Sequence, residues 1–238
     1  MSRISRKEIK RDELVTTLES LTHAAERHRR SLFLAAGAVV LLALAVTGGV
    51  WWSRSRAADA GLRLAALHAA VTAPVFTTGP LAGVPLSFGS GQQKHDEVIR
   101  RADELIEAYP SSSAARWAAY WKAVSCRETG RFPEALDILA GLAGDGGDPF
   151  LAASARMQQA QVQEAKGDLA AAAEAYASLA GSAPPTFPAE MALMSQARVL
   201  EAQGKTEDAM AVYRRVTQEY PDSPFAGDAS RRLGDARG

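Results

Sequence analysis

Four histidines and one cysteine are the residues of this 238-residue chain best suited to hold a metal or attack a substrate. Their positions argue against both. A metal site needs ligands gathered at short, regular spacing, whereas His23, His28, His68 and His95 are scattered over separate segments. Cys126 falls at a helical packing position, where a thiol behaves as a small core hydrophobe, and alone it has no partner for an internal disulfide. Asp145-Gly146-Gly147-Asp148 lacks the alternating oxygen ligands and closing glutamate of a calcium loop and reads as a turn. The sequence contains no glycine-rich phosphate loop, G-x-S-x-G elbow or H-E-x-x-H pair. We therefore expect no catalytic, metal or cofactor-binding residue and no enzyme activity. What is left is recognition, and that depends on the elements that carry the aromatic, methionine and arginine side chains.

Those elements repeat. Gly130, Gly167 and Gly204 stand 37 residues apart. In the same register lie Ala123, Ala160 and Ala197 before them, Ala135, Ala172 and Ala209 after them, and then Leu139, Tyr176 and Tyr213. Pro184 aligns with Pro221, and Pro110 lies three periods before Pro221. A period of this length marks an array whose units bury their apolar faces only against neighbours. Trp117, Tyr120, Trp121 and Val124, then Leu136, Leu139 and Leu142, recur at helical spacing, so each unit is two helices. Glycine between them predicts a left-handed cap on the first helix. Asp148-Pro149 and Ser223-Pro224 read as helix starts.

Upstream, Leu32 to Val50 is almost wholly apolar and ends at Trp51 and Trp52. At ~1.5 Å per residue this spans roughly 28 Å, about one hydrocarbon core, and paired tryptophans suit the interface. The first 30 residues hold eight lysines and arginines against five acids, a net +3, leaving 19 against 22, or −3, for the rest. Positive-inside then places the N-terminus in the cytoplasm. Neither part is basic enough to suggest nucleic acid. Ala58-Asp59-Ala60 resembles a signal cleavage site and Arg29-Arg30 loosely matches a twin-arginine signal, but the long basic lead and apolar core favour an uncleaved anchor. Before it, Leu14, Leu18, Leu21 and Ala25 share one helical face that either lies on the inner leaflet, docks on a partner or merely delivers charge.

The domain plan is thus a basic, amphipathic segment over 1–30, a transmembrane helix over 31–53, a membrane-proximal helix over 54–72, a Gly/Pro-rich loop over 73–93 and helical repeats over 94–238. By the 37-residue register, a helix from Lys94 to Tyr109 is the second of its unit. The helix around 57–71 is then expected to supply the missing first. Further units fall at 114–147, 151–184 and 188–221, with a capping helix from Pro224.

Helix, glycine turn, second helix with Ala and an aromatic, and closing Pro resemble the tetratricopeptide repeat (TPR), with another antiparallel helical pair as the alternative. The fold expected is all-α, a single membrane helix followed by a TPR-like α-solenoid. In that family the first helices line the inner face. The resemblance implies protein-binding positions at Trp117, Tyr120, Arg127, Met157, Gln161, Met191, Met194 and Arg198, with Val124, Ser154, Glu164 and Glu201 on the same stripe. Met, Trp, Tyr and Arg suit a binding groove, but an apolar stripe is equally core. The Lys/Asn pattern of carboxylate-clamping TPR domains is absent.

The opening Arg6-Lys7-Glu8-Ile9-Lys10-Arg11-Asp12-Glu13-Leu14, single span and repeat ectodomain resemble the bacterial YfgM-like family of ancillary SecYEG translocon subunits. That resemblance implies a non-catalytic protein of the bacterial inner membrane with a periplasmic repeat domain. Its implied partners are the SecYEG translocon, a periplasmic chaperone or prolyl isomerase and unfolded secreted chains, with no cofactor. The alternative is a structural scaffold joining the membrane to a cell-envelope assembly complex. The topology has a direct check. In intact cells, a membrane-impermeant thiol reagent should label a cysteine placed at Gln92 and spare one at Ser2; the reverse pattern contradicts the orientation.

Overall fold

The computed structural model describes residues 29–76 and 86–235, and its chain divides after Arg56 into two units taken separately below. The described helices are α1 (Arg29–Thr72), α2 (Gly91–Ala108), α3 (Ser113–Glu128), α4 (Phe132–Ala143), α5 (Pro149–Ala165), α6 (Leu169–Ser182), α7 (Ala189–Ala202), α8 (Thr206–Glu219) and α9 (Ala226–Asp235). Among the described residues, extended structure is limited to one isolated bridge between Val75 and Phe88. The amphipathic segment around Leu14, Leu18, Leu21 and Ala25 lies outside the described residues, as do His23 and His28.

In the first unit, Leu41, Leu42, Leu44, Val46, Trp51 and Trp52 are all exposed. Thr47 hides its hydroxyl by donating to the Ala43 carbonyl at 2.8 Å. Among the described residues, α1 is the one helix long and apolar enough to cross a membrane. Burial of such side chains in an apolar phase contributes about 1.5–3 kcal/mol each. Arg56 lies over the Trp52 ring at 5.0 Å, keeping its charge beside an amphipathic ring.

From Ala57 onward the chain is a solenoid of antiparallel helix pairs, each helix from α2 to α9 packing on the next and α3 also meeting α5. The glycine register sets the pairs. Gly130, Gly167 and Gly204 have φ of 75°, 84° and 76°, and among the described residues they are the positive-φ positions. At each, two bonds close the first helix. Arg131 N–H reaches Cys126 O (2.7 Å) and Gly130 N–H reaches Arg127 O (3.1 Å); Asp168 and Gly167 repeat this on Gln163 and Glu164, and Lys205 and Gly204 on Leu200 and Glu201. This is the double closure that satisfies the last carbonyls of a helix.

The other columns have their reasons too. Ala123, Ala160, Ala197, Ala135, Ala172 and Ala209 are all 0% exposed, because the helices of a pair approach there too closely for a larger side chain. Leu139, Tyr176 and Tyr213 fill the space between pairs and are also buried. Side chains before the array join it as well: Ala60, Leu67 and Ala70 of α1 form one buried cluster with Val98, Ala102 and Leu105 of α2. Arg101 Nη1 donates to the Ala66 carbonyl at 2.7 Å across the same contact.

Helix starts differ from the sequence reading at two places. α2 begins at Gly91, because the Ser90 side chain accepts from Gln93 N–H (3.2 Å) and starts the helix ahead of Lys94. α9 begins at Ala226 and not Pro224: Ser223 first closes a turn, its Oγ accepting from Phe225 N–H (3.2 Å) and bonding Glu190 Oε1 (3.2 Å). The Gly/Pro-rich stretch is tied where it is described. Phe76 N–H bonds Phe88 O (2.8 Å), Phe88 N–H bonds Pro74 O (3.1 Å), and Lys94 Nζ bonds Ala73 O (2.9 Å). Residues 77–85 lie outside the described residues.

A Cβ at Gly167 would touch nothing within 4 Å, so replacing this glycine costs only backbone strain. Gly167→Ala should destabilise the full-length protein in detergent by about 1–2 kcal/mol in urea melts, and Gly167→Asn by less, since Asn tolerates the left-handed region. A neutral Ala substitution contradicts the capping role.

Candidate protein-binding face

Polar side chains along the first helices bond from one repeat to the next. Arg127 of α3 donates through Nη1 to Gln158 Oε1 of α5 at 2.7 Å and also to Gln161 Oε1. Gln158 Nε2 donates in turn to Tyr120 Oη at 3.2 Å. One repeat on, Arg198 of α7 grips both oxygens of Glu164 of α5, Nη2 to Oε2 measuring 2.9 Å. Tyr176 of α6 donates to the same Oε2 at 3.0 Å. At the end of the array, Arg232 of α9 lies 3.5 Å from Glu201 of α7. The result is three cross-repeat rungs.

The middle rung is the strongest on physical grounds, because a bidentate guanidinium and a phenol converge on one half-buried carboxylate. Burial raises the Glu164 pKa, but the bonds from Arg198 and Tyr176 and the charge of Arg127 outweigh it and hold the carboxyl below its ordinary value of 4.5. Burial, then the neighbouring Glu164 charge, pushes the Tyr176 phenol upward. Arg198 keeps 56% of its side chain exposed, so its ion pair contributes no more than about 1 kcal/mol.

The predicted stripe divides in two. Trp117 and Tyr120 pack edge-on at 5.6 Å, Trp117 meets Phe150 at 6.2 Å, and Tyr120 meets Trp121 at 5.3 Å. Both side chains also lie against the cluster that contains Leu139. Arg127 is 19% exposed and engaged by Gln158, Gln161 and Glu128. Ser154 is buried. By contrast, Met157, Gln161, Met191, Met194 and Arg198 converge on a cavity of about 630 Å³. Five of the eight expected protein-binding positions thus share one place, and Trp117, Tyr120 and Arg127 do not line it.

Sequence reasoning missed the rest of that cavity. Tyr213 of α8 and Phe225, Asp228 and Arg232 in or before the capping helix complete its wall. It also missed the rungs, although a signal was present: Arg127, Glu164 and Glu201 each precede a repeat glycine by three residues, and Gln161 and Arg198 share a second column. A residue of one column faces one of the other 34 positions on.

The tetratricopeptide repeat family model matches residues 157–224 and 194–237, a span that holds α6 to α9, most of α5 and the whole cavity lining. These repeats are TPR-like. Comparison with curated proteins gives no match for the chain. TPR-like repeats form protein-binding surfaces, and the array's cavity lies on the side that the first helices supply.

Among the described residues, those singled out for chemistry take packing or turn positions. Cys126 is 0% exposed, and burial pushes its thiol up, away from the nucleophilic form. His95 Nδ1 meets Ser125 Oγ at 3.3 Å, and burial lowers its pKa. His68 stacks edge-on to Trp121 at 5.8 Å. Asp145 accepts from Gly147 N–H and Asp148 caps α5 on Leu151 N–H. Among the described residues no three potential metal ligands gather.

A carboxyl with a depressed folded-state pKa stabilises the fold above its ordinary value of 4.5, and that contribution is lost as pH falls through the folded value. Glu164→Gln should therefore lower the urea midpoint at neutral pH and flatten its decline as the pH falls below 4.5. An unchanged acid limb contradicts the rung.

Proposed function

We propose that this protein is a non-catalytic, single-span membrane adaptor at the Sec translocon that binds translocating or newly secreted polypeptides on the inner face of its TPR-like array. One observation carries the reading: five expected recognition residues meet in a methionine-floored cavity closed on one side by the capping helix. Methionine is unbranched and polarisable, which suits a site that accepts varied apolar side chains in place of one fixed shape. A volume of about 630 Å³ takes a short extended segment and not the face of a folded domain. A folded partner would favour the scaffold reading.

The apolar stretch of α1 supports the anchor, and the excess of basic residues before it supports a cytoplasmic N-terminus with the repeats in the periplasm. In that compartment the array would meet chains leaving the translocon, beside SecYEG and a chaperone or prolyl isomerase. No cofactor or nucleic acid enters this account.

A photo-crosslinking amino acid at Met194, introduced into the protein in its native membrane during active secretion, tests it. Many nascent secreted proteins together with the translocon should crosslink. One stoichiometric folded partner would replace the adaptor reading with the scaffold, and the absence of any polypeptide crosslink would remove both.

A further inference from the structure

Resting on the adaptor reading, we infer that the cavity between α5, α7 and α9 selects, among apolar segments, those that carry an acidic side chain, whose carboxylate is taken between Arg198 and Arg232. The capping helix supplies the reason. A step of 37 residues from Met191, Met194, Ser195 and Arg198 leads to Asp228, Arg231, Arg232 and Asp235, and all four line the cavity. α9 thus presents the inner-face positions of a further repeat and fills each of them with charge.

Positive charge prevails in the lining. The guanidiniums of Arg198, Arg231 and Arg232 face the carboxylates of Asp228 and Asp235, three against two, a net charge of +1. Glu164 and Glu201 hold Arg198 and Arg232 in the rungs, but neither lines the cavity. A guanidinium carries five N–H donors, so one carboxylate does not exhaust it. Both side chains remain more than half exposed, at 56% and 57%. Asp228 is paired with Arg231 on its own helix and so leaves the other two arginines to a ligand. The 34-residue relation that sets Arg127 against Gln161 and Arg198 against Glu164 also sets Arg232 of α9 beside Arg198 of α7. Like charges at neighbouring positions repel, and an anion between them turns that repulsion into attraction. Gln161 gives its amide oxygen to Arg127, which leaves its amide N–H groups as further donors in the same lining.

The floor decides what should flank the carboxylate. Met157 is nearly buried, Met191 and Met194 are half-buried, and Phe225 stands beside them. Apolar neighbours of an acidic residue settle on these side chains while its two oxygens meet the planar forks of the arginines. Beside apolar surface such a pair is screened less than in open water. An uncharged apolar segment uses the floor alone and binds more weakly, and a basic one meets like charge.

Fluorescence anisotropy on the full-length protein in detergent provides the test, with dye-labelled, C-terminally amidated Ser/Gly peptides built around Leu-Glu-Phe or Leu-Gln-Phe. The Glu peptide should bind roughly tenfold more tightly at low salt, and its advantage should shrink as ionic strength rises. Arg232→Gln should bring the two affinities together and Arg232→Lys should keep part of the difference, with circular dichroism melts establishing that both variants are folded. Equal wild-type affinities, an advantage indifferent to salt, or one undiminished in folded Arg232→Gln overturns the assignment while leaving an adaptor that binds apolar segments. A Leu-Gln-Phe peptide with a free C-terminus that matches the Glu peptide gives the arginines to chain ends and overturns it equally. If the wild-type protein binds none of the peptides, the adaptor reading itself fails and this inference falls with it.

Discussion

The three helix pairs α3–α4, α5–α6 and α7–α8 each turn back at a residue whose φ is positive, and the rest of the array is paced by that turn. Only glycine occupies the left-handed region without a Cβ penalty, so Gly130, Gly167 and Gly204 fix where each first helix stops. With the stops fixed, helix lengths follow, and the alanine columns meet at the closest approach of the two helices. Tyr176 and Tyr213 then reach between pairs. A single pair could not bury these faces; the stack can.

The same pacing explains why polar groups can sit on the inner face without harm. A residue three before one glycine lies opposite a residue six before the next, so a guanidinium and an acceptor meet at every junction: Arg127 with Gln161, and Arg198 with Glu164. The capping helix continues the series with Arg232 against Glu201. These rungs tie Arg127, Arg198 and Arg232 across the face from one repeat to the next. The apolar floor left between them, at the C-terminal end, is where Met157, Met191 and Met194 gather.

Much of this was legible in the sequence because glycine, proline and tyrosine are informative at fixed spacing. The three caps, the helix pairs and the small-residue columns follow from residue type alone. Two helix starts did not, since Ser90 and Ser223 act through local bonds that periodicity does not register. The cavity lining was half legible. Met157, Gln161, Met191, Met194 and Arg198 were picked out by register, but whether a stripe residue faces a cavity or a neighbour depends on what stands beside it. Phe150 lies outside the stripe positions and yet closes over Trp117. The wall supplied by Phe225 and Asp228 comes from the capping helix and its entry, which lie outside the repeat columns.

Hydrogen exchange on the full-length protein bears most directly on the claim that recognition is confined to the methionine cavity. Addition of an uncharged apolar peptide should slow exchange in α7, Ala189–Ala202, and in the capping helix, Ala226–Asp235, and leave α3, Ser113–Glu128, unchanged. Slowing confined to α3, or none in α7 and the capping helix, would contradict it.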